Sequence, residues 1–174
     1  MSQLAHIPES EMKEILMLQE RLKLMDSQEK CKESFMEYIR YIWPGFIEGD
    51  HHRIIAEKLT EVAQGKCRRL IVNMPPRHTK SEFASVYFPS WVMGLKPEMK
   101  IMQTTHTADL SINFGRKVRN LMDTPEYNNI FSNVSLASDS KSAGKWQTSA
   151  GGEYFAAGVG GAIAGRGADL LIID

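Results

Sequence analysis

The chain has 174 residues, 43% of them hydrophobic and 24% charged, which are ordinary values for a core-forming globular chain and argue against intrinsic disorder, a collagen repeat or a coiled coil. Its apolar stretches fall far short of the ~20 residues a membrane-spanning helix needs. The 21 basic and 21 acidic residues cancel, but unevenly: residues 1–50 carry 6 basic and 10 acidic, residues 51–119 carry 12 and 5, and residues 120–174 carry 3 and 6. A basic middle between acidic ends has the charge to hold an anion that the zero total hides. MSQLAHIPESEMK has neither the basic start nor the apolar core of a secretory leader, and Cys31 and Cys67 lack a CxxC partner, so a reducing, cytoplasmic setting without a zinc site is expected.

In chain order, Ile15, Leu18, Leu22 and Met25 recur at helical spacing and predict a packed helix over 11–25, and Ser27 is positioned to cap a second helix over 28–43 that stops at Pro44-Gly45. A third helix is expected over 51–64, with Asp50 as N-cap, Ile55, Leu59 and Val62 as its apolar stripe and Gly65 behind it. Leu70-Ile71-Val72-Asn73 reads as a strand buried in a parallel sheet, MPPRHTKS as a loop, and the stretch from Lys80 to Gly94 as a helix kinked by Pro89. A strand over 100–104 and a helix to Met122 capped by Thr107 complete an α/β alternation. The last third offers short strands at 134–136 and 153–157 around a polar stretch, a glycine-dense loop over 158–167, and a buried final strand, Ala168 to Ile173, ending at Asp174. No internal repeat or flexible linker divides the chain.

The strand, loop and helix around Met74-Pro-Pro-Arg-His-Thr-Lys-Ser81 carry the main chemical signal. A phosphate loop needs curled backbone N–H groups, a helix N-terminus aimed at the anion, a Lys for the outer phosphates and a hydroxyl for Mg²⁺. Lys80 and Ser81 stand where the last two fall, although Met74 and Thr79 replace both glycines of the usual GxxxxGK[ST] pattern. About ninety residues later, Leu170-Leu-Ile-Ile-Asp174 has the form of a strand whose terminal carboxylate holds Mg²⁺; alone it would be an ordinary strand entering a turn, but paired with the loop it points to a nucleotide triphosphatase.

These segments, together with DHHRIIAEKL (50–59), RRLIVNMPPRHTKSE (68–82), FGRKVRNLMDTPEY (114–127) and GVGGAIAGRGADLLIID (158–174), resemble the large terminase subunit of tailed bacteriophages from about residue 35 onward. The resemblance implies a mostly parallel P-loop sheet of the ASCE type with helices on both faces, an N-terminal helical extension over 1–50 and an ATPase domain over 51–174. That domain is expected to be incomplete after the Walker B strand, with the family's nuclease domain absent. It further implies an ATP-driven motor that moves double-stranded DNA into a procapsid in the infected bacterial cytoplasm, working with a portal protein and a small terminase subunit as a homo-oligomeric ring.

By position, the resemblance gives the nucleotide to the loop Pro75, Pro76, Arg77, His78, Thr79, Lys80 and Ser81. Lys80 contacts the β- and γ-phosphates, Ser81 binds Mg²⁺ and Asp174 is the second metal-associated group. Thr79 stands where the family usually has Gly, in a turn that Gly adopts more freely. Arg77 either stabilises charge on the γ-phosphate or salt-bridges the loop. Arg166, between two glycines, either reaches a neighbouring subunit's site as an arginine finger, a device worth about three to five powers of ten in rate, or is solvated on a tight turn. His52, and more weakly Trp43, belong to the expected base pocket, with capping and packing as the alternative; His51 and His52 diverge by about 100° on a helix and cannot share a metal. The imidazoles of His78 and His106 receive no role. The clusters Arg116, Lys117, Arg119 and Lys66, Arg68, Arg69 are candidate duplex contacts or a solvated surface. A helicase-type motor, or an assembly module that binds nucleotide without hydrolysing it, remains an alternative.

Overall fold

The break between the first two helices falls at Ser34. In the computed structural model, which describes residues 8–161, 163 and 165–174, α1 runs unbroken over Glu9–Glu33, through the expected cap at Ser27. Ser34 is extended, its hydroxyl accepts from the Glu37 N–H at 3.4 Å, and α2 follows over Phe35–Ile42. The Ile15, Leu18, Leu22 and Met25 stripe is exposed instead of packed, and α1 enters the core only near its end, at Cys31. α2 is the opposite case, with five of its eight residues buried. Phe35 packs edge-on against Phe83 and Phe88, and Trp91 Nε1 donates to the Cys31 carbonyl at 2.7 Å, so the N-terminal helices share one core with the rest of the chain.

α3 covers Asp50–Ala63, one residue earlier than the sequence suggests, because Gly49 and not Asp50 takes the extended N-cap conformation. After residue 65 the stretch 70–74 forms no regular element and joins no sheet: Leu70, Val72 and Met74 lean on the core while Ile71 stays 85% exposed. The expected strand at 70–73 is therefore absent from the sheet, since an extended segment without a hydrogen-bonding neighbour gains nothing from the ladder. Lys80 starts a helix that continues through a π-helical segment, Glu82–Tyr87, into α4, Phe88–Leu95. Pro89 has no N–H to give and its ring crowds the carbonyl four residues back, at Ser85; the widened π turn, in which the Phe88 N–H reaches Phe83, relieves both.

Five strands form one sheet in the order β2-β3-β4-β1-β5: β1 Lys100–Thr105, β2 Leu136–Lys141, β3 Lys145–Thr148, β4 Glu153–Gly158 and β5 Leu170–Ile173. β1 runs parallel to β4 and β5, whereas β2–β3 and β3–β4 are antiparallel. The mostly parallel P-loop sheet expected from the sequence is thus replaced by a mixed sheet with only two parallel pairs. The polar stretch after residue 138 is the reason. It folds back as a hairpin instead of crossing over, and its polar, short strands carried no apolar run to mark them.

One face of the sheet packs against a helix. Ile101, Gln103, Trp146, Tyr154 and Ile172 are buried there, with α5 (Ala108–Met122) along β4 and β1 and Trp146 Nε1 donating to the Gly115 carbonyl. Leu171 and Ile173 alternate onto the other face and are 54% and 77% exposed, so at β5 that face has neither the expected helix cover nor the expected burial, while Met102, Thr104 and Ala157 on the same face are buried. α5 begins as expected at Thr107, whose hydroxyl accepts from the Leu110 N–H. Its N-terminus can approach the sheet because residue 158 is glycine: a Cβ there would lie 2.4 Å from the Ala108 nitrogen. A short helix, α6 (Pro125–Ile130), follows and was not foreseen. Ala162 and Ala164 of the glycine-dense loop, like residues 1–7 of the extension, lie outside the described residues.

Candidate phosphate-loop site

β5 ends beside β1, and the Asp174 N–H continues the ladder to the Thr104 carbonyl at 3.0 Å. This places the carboxylate at the carboxyl end of the two parallel pairs, where open α/β sheets bind their ligands. Two side chains from the helix that follows the loop meet it: Ser85 Oγ donates to Asp174 Oδ2 at 2.9 Å, and Lys80 Nζ lies 3.5 Å from Oδ1. Ser85 is fully buried; the Asp174 side chain is 13% and the Lys80 side chain 39% exposed. An ordinary α-helix would turn Lys80 and Ser85 about 140° apart. The π-helical widening just after Ser81 narrows that angle and lets both reach one carboxylate.

The loop itself is exposed from Pro75 to His78. Its turn is made by two non-glycine residues with positive φ, Arg77 at 65° and Thr79 at 60°. For β-branched Thr79 this is an unfavourable conformation, and three bonds fix it. The Gly49 N–H donates to His52 Nδ1 at 2.9 Å, which leaves the ring proton on Nε2. Nε2 then donates to Thr79 Oγ1 at 2.6 Å, and that hydroxyl donates to the His78 carbonyl at 2.7 Å. His52 is 5% exposed and packs in a triangle of rings with Phe46 and Phe83, the three centres 4.8, 5.2 and 5.5 Å apart. Burial, followed by the charge of neighbouring His51, holds its imidazole below the ordinary histidine pKa, in keeping with a neutral ring.

The segment leading into α3 is anchored separately. Glu48 receives Arg40 Nε at 2.7 Å and Arg53 Nε at 2.5 Å, and these two guanidinium groups, Arg40 first, hold its carboxyl down at about 2. Trp43 stacks on Tyr87 with ring centres 5.0 Å apart, so it belongs to an aromatic cluster between α2 and the π segment.

Lys80 with Asp174 and His52 with Thr79 therefore come together around one loop, and Ser81, half-buried, follows Lys80 in the first turn of the helix. Arg77 is exposed on its outer turn and makes no ion pair among the described residues. His78 is exposed too, its Nδ1 against the Pro76 carbonyl. Arg166 lies elsewhere. Its guanidinium bonds Glu153 at 3.2 Å and covers the Phe155 ring at 4.1 Å. Glu153 is opposite Lys100, at the start of β1, whereas Asp174 continues the register to the level of Thr105 at its end, a separation of about 16 Å along the sheet. Of the basic clusters, Lys117 is paired with Glu82 at 2.5 Å and Arg116 is exposed on α5.

Ser85 and the Thr79 contact of His52 were not foreseen. Ser85 sits four residues after Ser81, a spacing that marks a shared helix face; nothing in the sequence announces the His52–Thr79 bond across 27 residues. Comparison with protein-family models, curated proteins and solved structures finds no match to this chain.

Proposed function

We propose that the chain is the ATP-hydrolysing part of a phage large terminase, coupling Mg-ATP hydrolysis to movement of double-stranded DNA into a procapsid. The observation that carries this reading is the convergence of Lys80 and Asp174, ninety-odd residues apart, at the carboxyl end of parallel strands and directly beneath a tight loop. Lysine at the start of a helix and a carboxylate held by a buried serine are what a polyphosphate and its divalent cation require. The resemblance in MPPRHTKS and GRGADLLIID supplies the substrate class.

The donor set fits magnesium. Ser81 and Asp174 offer hard oxygen ligands, and among the described residues no group of three or more His, Cys, Asp or Glu could cage an ion unaided. Mg²⁺ commonly takes one or two carboxylates, the substrate's phosphates and water, so the nucleotide would complete the set. When bound, the ion neutralises charge on the phosphate oxygens. The chain's own groups do the rest. Pro75 and Pro76 have no N–H, which leaves the backbone from Arg77 to Ser81 to donate to phosphate oxygens. The Lys80 ammonium, half in solvent, exchanges Asp174 for the outer phosphates, while the Ser85 hydrogen bond keeps the carboxylate pointed at the loop.

The ring, the portal and small-subunit partners and the host cytoplasm rest on the resemblance alone. In the test, the chain hydrolyses ATP only with Mg²⁺, Lys80→Ala abolishes turnover, and portal-bearing procapsids render DNA nuclease-resistant. Strand displacement without procapsids favours a helicase-type motor, and binding without turnover favours an assembly module; either overturns the proposal.

A further inference from the structure

We propose that His52 is a positioning residue that holds the phosphate loop in its bent form by hydrogen-bonding Thr79, so that this chain uses a histidine–threonine pair where a phosphate loop ordinarily relies on glycine. The proposal rests on the phosphate-loop reading above, but it concerns how the loop keeps its shape.

The residue before the loop lysine has φ 60°, a region that costs a β-branched side chain and costs glycine nothing. Without a compensating contact, Thr79 would relax toward negative φ and swing the N–H groups of Lys80 and Ser81 off the anion. The compensating contact is built from two directions. On one side the Gly49 N–H fills His52 Nδ1, so the ring has a single tautomer and its remaining proton points at Thr79 Oγ1, 2.6 Å away. On the other, Thr79 Oγ1 gives its own proton to the His78 carbonyl, so the hydroxyl cannot rotate without breaking a bond. Phe83 stacks on the imidazole at 5.2 Å and Phe46 meets it edge-to-face at 4.8 Å between ring centres, and this packing limits how far the ring can turn. The contact thus joins the start of α3 to the last loop residue, while the Phe83 N–H bonds the Thr79 carbonyl at 3.0 Å and transmits the position into the helix. Because His52 is 5% exposed and its Nε2 proton is taken by Thr79 Oγ1, its reach to a bound nucleotide runs through Thr79.

The test is a cycle of His52→Ala and Thr79→Gly in the full chain, read as the affinity for Mg-ADP and Mg-ATP by titration calorimetry. With Thr79 present, His52→Ala weakens binding about tenfold, the size of left-handed strain in a non-glycine residue. In the Thr79→Gly background the same substitution costs less than about threefold, because glycine needs no clamp. Thr79→Val, which keeps the branched side chain but loses the hydroxyl and opens no hole beneath His52, weakens binding about tenfold even where His52→Ala fails to fold. An equal cost of His52→Ala in both backgrounds, or wild-type affinity in Thr79→Val, overturns the proposal. Amide hydrogen exchange at 79–83 without nucleotide separates this from the ATP reading: faster exchange in Thr79→Val supports the clamp even if no nucleotide binds, and unchanged exchange rejects it.

Discussion

Removing the Asp174 carboxylate should destabilise the fold through Ser85 before any ligand is considered. Ser85 is fully buried and its hydroxyl donates to Oδ2 at 2.9 Å, so Asp174→Ala strands that donor at a cost of about 1–3 kcal/mol. The Lys80 contact at 3.5 Å adds a bare Coulomb attraction of roughly 5 kcal/mol at an effective dielectric of about 20. Lys80 is 39% exposed, however, and solvent reduces such a pair to about 1 kcal/mol or less. The sum, about 1–4 kcal/mol, corresponds to a midpoint lowered by about 2–15 °C for a chain of this length. Urea denaturation of Asp174→Ala, Ser85→Ala and the double variant then gives a coupling energy of about 1–2 kcal/mol. Ser85→Ala alone is milder, since the carboxylate keeps Lys80. Additive effects, with coupling below about 0.3 kcal/mol, would mean that the strand end and the post-loop helix do not meet, and the reasoning would fail.

Three further outcomes follow from the same contacts. Arg166→Ala leaves Mg-nucleotide affinity within about twofold, because Arg166 is tied to Glu153 and Phe155 at the far end of the sheet; any loss of turnover should appear only in an assembled oligomer, as an in-trans role demands. A tenfold loss of affinity in the monomer contradicts the placement. Leu18→Ser with Leu22→Ser costs less than about 0.5 kcal/mol in urea denaturation, since both side chains are exposed, whereas Ile39→Ala in the core costs about 2–5 kcal/mol. Acid should act in two stages. His52 has a lowered folded-state pKa, so its stability is full above the unfolded value of 6.5 and is lost as pH falls below it toward the folded value. The rings of His51 and His78 and the Glu48 carboxylate face it, and replacing His52 by Gln removes this first stage. Glu48, lowered to about 2 by Arg40 and Arg53, contributes stability that is intact above 4.5 and lost between there and about 2. A midpoint that rises on acidification from pH 7 to 5 would contradict the first stage.

The parts of the molecule legible in the sequence were those with a local cause. α5 was marked by Thr107 and by the period of Leu110, Phe114 and Val118, and β1 and β4 by short runs with turn residues beside them. Lys80, Ser81 and Asp174 could be grouped because each stands at the end of an element, where side chains point at a common edge. The failures have non-local causes. Leu70–Asn73 has the composition of a strand, but a strand exists only with a partner, and pairing is decided elsewhere in the chain. The hairpin of β2 and β3 has polar residues on short strands, and its antiparallel return changed the whole sheet from parallel to mixed. The stripe on α1 has the right period for packing and nothing packed on it, because period reports a face and not its neighbour. In the site, the His52–Thr79 bond arises from tertiary contact, and the π segment answers Pro89, whose sequence signal is the same as that of an ordinary kink; together they decide how Lys80 and Thr79 are held.

Titration calorimetry of the chain with Mg-ADP, compared with Lys80→Ala, tests the central claim most directly. The account predicts binding that requires Mg²⁺ and weakens roughly 10–100-fold without the Lys80 ammonium, the range expected for a charged hydrogen bond to phosphate. Binding that is absent in the unsubstituted chain, or that ignores both Mg²⁺ and Lys80, would contradict it.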